Sequence, residues 1–162
     1  MLRTTFQNTI TTPIPSDVTP DIVISKLHNH DFLITMSPIV TRHDIKDTDA
    51  SGKITYNVWE NIDLLPFGLW KHEIQFTCSF QNKDDGVISW IEAPLGLVSE
   101  ANYSVKEDAN GGSMVLEELV ETSVNAIFKL FVQGTLVSVR KEMHQKIIDR
   151  AREDSVGGGG VS

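Results

Sequence analysis

The sequence predicts an α+β fold: a strand, a short helix, a meander of further strands, and one long terminal helix. Three observations lead there. Up to about residue 124, stretches rich in β-forming side chains are separated by turn-forming clusters such as NKDDG (82–86) and ANGG (109–112). Only one helical pattern, near Pro20, interrupts them. From Asn125 to about Arg152 the pattern changes, with no proline and a single glycine, Gly134.

Taken in order, RTTFQNTITT (3–12) reads as the first strand, ended by Pro13 and Pro15. A short helix follows, with Thr19 at its cap, Pro20 in its first position and Asp21 at the positive end of its dipole. It continues through Ile22, Val23, Lys26 and Leu27 toward HNHD, and Pro38 limits any further helix. IVTRHDIK (39–46) is the second strand and KITYNVWENI (53–62) the third. In KHEIQFTCSF (71–80), His72, Ile74, Phe76, Cys78 and Phe80 share one face. GVISWIEAPLG begins the next strand, EANYSVKED (100–108) is the one after, and SMVLEELVETSV (113–124) is the last. In the terminal helix, Phe128, Phe131, Val132, Thr135, Leu136, Val139, Met143 and Ile147 recur at helical spacing. Its first half, AIFKLFVQGTLVSV, is apolar almost all round and is expected to be buried on more than one side. The amphipathic second half is expected to leave His144 exposed.

Length and composition narrow the function. A chain of 162 residues can build one core, expected over 1–154, followed by a flexible Gly-rich tail at 155–162. With 40% hydrophobic and 22% charged residues the balance is that of a soluble globular protein. A net charge of −8 without a basic block argues against nucleic acid and anionic membranes as partners. Cys78 is the only cysteine, which precludes an internal disulfide. The absence of a secretory leader pattern and of a long apolar run makes a cytoplasmic location the expectation.

One stretch departs from ordinary turn chemistry. DLLPFGLW (63–70) surrounds Pro66 and Gly68 with large apolar side chains, although turns normally face water. It is expected to form the rim or lid of an apolar site, the alternative being a homodimer contact.

No nucleotide, phosphate-loop or metalloprotease motif is present, so no cofactor or metal is expected. Cys78, in mid-strand among apolar neighbours, reads as buried and inert. His28 and His30 read as the solvated end of a helix. His72 shares a strand face with Ile74 and Phe76, and reads as a core histidine or as a pocket acid, base or hydrogen-bond donor, while Tyr56 and Tyr103 can each offer a phenol hydroxyl. Of Glu60, Glu92, Glu117, Glu118 and Glu121, alternation alone does not decide which faces inward; an inward one would need a partner or a raised pKa.

The order of elements, with RTTFQNTITTPIP, LLPFGLW, IEAPLGLVSEANYSV and FVQGTLVSVRKEMHQKIIDRA, resembles the START-like, or helix-grip, superfamily over about residues 1–152. More narrowly it is similar to a fungal family of small START-like domains of unknown function, akin to polyketide-cyclase and birch-pollen-allergen-like proteins. The resemblance implies a curved antiparallel sheet gripping the long helix around an apolar cavity. It implies binding of an apolar or polycyclic small molecule, with cofactor-free cyclisation (Diels–Alder or related) or isomerisation in secondary metabolism as the leading activity. A non-catalytic lipid or metabolite carrier is the alternative. On this reading His72 and Tyr103 are the polar groups, and Trp59, Leu65, Phe67, Trp70, Phe76, Trp90, Phe128, Phe131 and Leu136 are the walls.

Overall fold

In the computed structural model, which describes residues 2–63 and 71–157, seven antiparallel strands form one sheet. The strands are β1 (Arg3–Pro13), β2 (Val40–Thr48), β3 (Ile54–Asp63), β4 (Lys71–Lys83), β5 (Gly86–Ala93), β6 (Leu97–Glu107) and β7 (Met114–Asn125). Their order across the sheet is β1-β7-β6-β5-β4-β3-β2. The meander from β2 to β7 follows from hairpins between sequential strands, and β1 adds to the far edge by pairing with β7. The rim or lid expected of DLLPFGLW falls on Leu64–Trp70, outside the described residues, and with it the wall positions Leu65, Phe67 and Trp70.

Alternation sends one face of each strand to the core. Ile10 of β1, Val58 of β3, Phe80 of β4, Val87 of β5, Ala101 of β6 and Leu116 of β7 are all buried there. Gly86 opens β5 where no side chain would fit, because a Cβ there would collide with the carbonyl oxygen of Tyr103. That close approach fixes the strand carrying Tyr103.

Two helices connect β1 to β2 where a single short one was expected: α1 (Pro20–Leu27) and α2 (His30–Thr35). Asn29 causes the break. Its side chain accepts the Phe32 N–H and so starts a new helix directly after the old one ends. Thr19 occupies the cap of α1 without a side-chain hydrogen bond. His30 is buried rather than solvated.

The terminal helix α3 (Lys129–Gly157) is led in by a short 3₁₀ turn at Ala126–Phe128. Its burial is the reverse of the expectation. Arg140, His144, Ile147, Ile148 and Ala151 are the buried residues of α3, all in the second half. Ile127, Leu130 and Phe131 are 82%, 83% and 73% exposed. The second half packs on α1 and β1, and Lys26 of α1 pairs with Asp154 there. None of the described helices is long and apolar enough to cross a membrane.

Candidate functional site

Between the concave face of the sheet and the helices lies a cavity of about 290 Å³, at the lower edge of the size range of small-molecule sites. Val58, Phe76, Phe80 and Ile91 form its sheet side; Leu33 and Ile34 of α2 and Val139 and Met143 of α3 form its helical side. Polar groups are few: Ser37, Glu60, Cys78, Ser89, Tyr103 and Arg140. A second depression of similar volume continues past Val139 and Arg140 and is lined by Leu97, Phe131, Val132 and Leu136. Ile91, Val139 and Arg140 border both.

The polar end of the cavity is a buried network that spans four elements. Arg140 donates from Nη1 to the Tyr103 hydroxyl at 3.0 Å. The same Nη1 stands 3.0 Å from Oε1 of Glu118, an ion pair outside hydrogen-bond alignment. His144 donates from Nε2 to Oε2 of Glu118 at 2.9 Å, and the Thr12 hydroxyl donates to His144 Nδ1 at 2.9 Å. The carboxylate can only accept, so the Nε2 proton lies toward Glu118, and a neutral imidazole then leaves Nδ1 to accept from Thr12. Glu118 and His144 are both 0% exposed.

Hydroxyl, imidazole and carboxylate thus stand in the order of an acyl-transfer triad. Only Tyr103 and Arg140 of this network line the cavity, however, so Thr12 and His144 serve as supports that orient Glu118 and, through it, Arg140. Burial first, and the neighbouring Glu118 carboxylate second, raise the pKa of Tyr103 against the opposing charge of Arg140. The phenol therefore stays protonated at neutral pH and acts as a hydrogen-bond donor or acceptor, not as a base. Burial works against the charge of Arg140, yet Tyr103 and Glu118 together raise its pKa, so it remains a cation.

Glu60 is the one carboxyl among the described residues lining the cavity. Burial raises its pKa, opposed by the Ser37 hydroxyl that donates to it at 3.4 Å. Burial, with a smaller push from Glu60, raises the Cys78 thiol to about 12, which makes it inert as expected.

The expected site residues fare unequally. Tyr103 and Phe76 line the main cavity, and Phe131 and Leu136 line the adjoining depression. His72 sits exposed at the start of β4 and is not among the described residues that line either space. Trp59 and Trp90 belong to the outer face, because the inward residues of β3 are Tyr56, Val58 and Glu60 and those of β5 are Val87, Ser89 and Ile91. The Arg42 guanidinium covers Trp59 at 3.9 Å, and Lys53 stands 4.0 Å over Trp90, whose indole N–H donates to Glu100. Phe128 is half-buried in the 3₁₀ turn and lines neither space. Sequence reasoning missed Arg140 and Thr12, expected His144 to be exposed where it is fully buried, and left Glu118 and Glu60 undecided.

A second buried histidine holds α2 to the sheet. His30 donates from Nε2 to Asn82 Oδ1 at 2.8 Å, accepts from the Tyr56 hydroxyl at 2.9 Å, and stacks on Phe80. Burial, joined by the charge of His28 and opposed by the Asn82 bond, lowers its pKa below 6.5. The unfolded chain then binds the proton more readily. This contribution to stability is full above the unfolded pKa and is lost as pH falls below it toward the lowered folded value. Urea unfolding between about pH 7.5 and about pH 5 is expected to show a decline that is shallower in His30→Gln. Equal slopes in the two proteins would show that His30 is not its source.

A family model described as "Domain of unknown function (DUF7053)" matches residues 3–153. No curated protein gives a significant match. Solved structures do. Ara h 8.0201 aligns at 12% identity with a TM-score of 0.60, covering 96% of this chain and 99% of its own. Human STARD10 aligns at 12% identity and 0.59, covering 90% of this chain and 62% of its own. The di-domain ARO/CYC BexL from the BE-7585A biosynthetic pathway aligns at 11% identity and 0.54, covering 93% of this chain and 48% of its own. At such identities the likeness establishes the helix-grip, START-like fold and nothing finer.

Proposed function

The chain belongs to this family, named for its undetermined function, and we propose that it binds an apolar or polycyclic small molecule in the cavity between sheet and α3. The observation that carries this reading is the cavity itself: mainly apolar walls with a small set of polar groups, among them the Tyr103–Arg140 pair and, separately, Glu60. The finer form of the proposal is cofactor-free cyclisation or isomerisation of the bound molecule, of the Diels–Alder kind or related, in fungal secondary metabolism. Similarity of fold to an ARO/CYC domain supports it by analogy. Confinement would hold the reacting ends close together, and the Tyr103–Arg140 pair would polarise an oxygen on the molecule. A carrier would use the same cavity without turnover.

Two measurements test these levels in turn. Titration with the neutral fluorophore N-phenyl-1-naphthylamine is expected to give saturable one-to-one binding; its failure would remove the cavity reading. Incubation of the purified protein with polyene or polyketone intermediates is expected to convert one of them faster than buffer alone. Binding without acceleration would leave the carrier and remove the cyclase. Within the cyclase reading, Tyr103→Phe is expected to lower kcat by about tenfold, with less effect on KM, since a single donor to developing charge can contribute that much or more.

A further inference from the structure

We infer that the cavity's ligand is a neutral, largely apolar molecule that presents a carbonyl oxygen to the unused side of the Arg140 guanidinium. The inference rests on the cavity reading above and names the chemistry of its occupant.

A guanidinium has five N–H hydrogens in a fixed fork. Nη1 of Arg140 serves Tyr103 and Glu118. Among the described residues, none accepts a hydrogen bond from Nε or Nη2. Three N–H hydrogens are therefore left over on a side chain that is 11% exposed and borders the cavity. Nε and Nη2 form the side of the fork away from Nη1, so they aim as a pair. An apolar occupant that expels water from the cavity deprives these hydrogens of partners, unless it brings an acceptor of its own.

The acceptor's charge follows from the neighbours. Glu118, fully buried and on the same guanidinium, already balances Arg140. Glu60 adds a carboxyl to the lining of the same cavity, on its sheet side. A ligand carboxylate would bring excess negative charge into a water-poor space, at a high cost in desolvation. What the site lacks is an acceptor, not an anion. A ketone, ester or lactone carbonyl supplies one, with two lone pairs for the two parallel N–H bonds. A hydrocarbon of equal shape supplies none, and sites with unpaired buried donors discriminate strongly against such analogues.

The test uses three naphthalenes of matched size: 2-acetylnaphthalene, 2-ethylnaphthalene and 2-naphthoate. Titrated against the full chain, the ketone is expected to bind at least about tenfold more tightly than either of the others, the scale set by one charge-assisted hydrogen bond. Its carbonyl carbon, labelled with ¹³C, is expected to move downfield on binding. Arg140→Met risks unfolding by leaving Glu118 unbalanced, so it is made together with Glu118→Gln. The ratio of ketone to hydrocarbon affinity is then read, which cancels any general loss of binding, and it is expected to fall to near one. Hydrocarbon and ketone binding equally to the unaltered protein would overturn the inference and leave the cavity reading in place. Tightest binding by the carboxylate would also overturn it, and would make Arg140 an anion receptor. Binding by none of the three would overturn the inference, and the cavity reading would then fall only if N-phenyl-1-naphthylamine also failed to bind.

Discussion

Replacing Arg140 by methionine is expected to cost about 3–5 kcal/mol of folding stability, the range seen when one partner of a buried ion pair is removed. Most of that cost falls on the partner left behind. Glu118 is fully buried, and among the described residues its Oε1 has no hydrogen-bond partner beyond the ion-pair contact with Nη1. Without Arg140 it must stay charged in an apolar medium or take up a proton during folding. Adding Glu118→Gln removes that charge, while the amide oxygen can still accept from His144. The double variant is therefore expected to recover most of the stability. Urea unfolding of the two variants at neutral pH provides the check. A single variant destabilised by less than about 1 kcal/mol would mean that Glu118 does not depend on Arg140 in the folded state.

The second large effect concerns binding. Ser89 is buried on the inward face of β5, opposite Phe80, and lines the cavity. Ser89→Phe is expected to place a ring in that space and to lower affinity for N-phenyl-1-naphthylamine by about a hundredfold or more, on the order of 2.7 kcal/mol. Filling an existing void also adds apolar packing, so Tm is expected to hold or rise, unlike the outcome in a core that is already full. Calorimetric melting and fluorescence titration on the same preparation separate the two. Unchanged affinity would place the ligand elsewhere, and a matching fall in both would show that Ser89 faces packed side chains.

The elements were legible because strand alternation and turn chemistry are local. β4 announces its inward face through Phe76, Cys78 and Phe80, and β7 shows its own through Leu116, Val120 and Val124. The network was not legible because its members lie far apart in sequence and each, alone, looks solvated. A signal was present nonetheless. Arg140 and His144 are four apart and continue the stripe of Ile147, Ile148 and Ala151, so the buried side of α3 runs through them. Glu118 sits between Leu116 and Val120 on the inward parity of β7. Apolar count misled in the 3₁₀ turn and the first half of α3, where Ile127, Leu130 and Phe131 are exposed. Hydropathy registers how greasy a segment is, whereas burial depends on whether neighbours close against it, and across the second depression Phe131 and Leu136 face Leu97, Ser99 and Thr122 over an open gap. The tryptophans misled for a related reason: a large ring can lie flat on an outer sheet face under a cation, as Trp59 and Trp90 do.

The pairing of β1 with β7 carries a kinetic consequence. Arg3 meets Asn125 and Pro13 meets Val115, so the strand made first must wait for a partner made roughly a hundred residues later. The six strands from β2 to β7 can zip successively through hairpins, each closing a short loop. β1 cannot, and neither can α3, whose buried stripe rests on β1 and α1. Such distant pairing slows folding toward the millisecond-to-second range of sheet-dominated domains. On the ribosome, Phe6 and Ile10 leave the tunnel long before β7 exists to shelter them. The interval between the synthesis of β1 and that of β7 is therefore when the nascent chain is most open to aggregation and has most need of a chaperone.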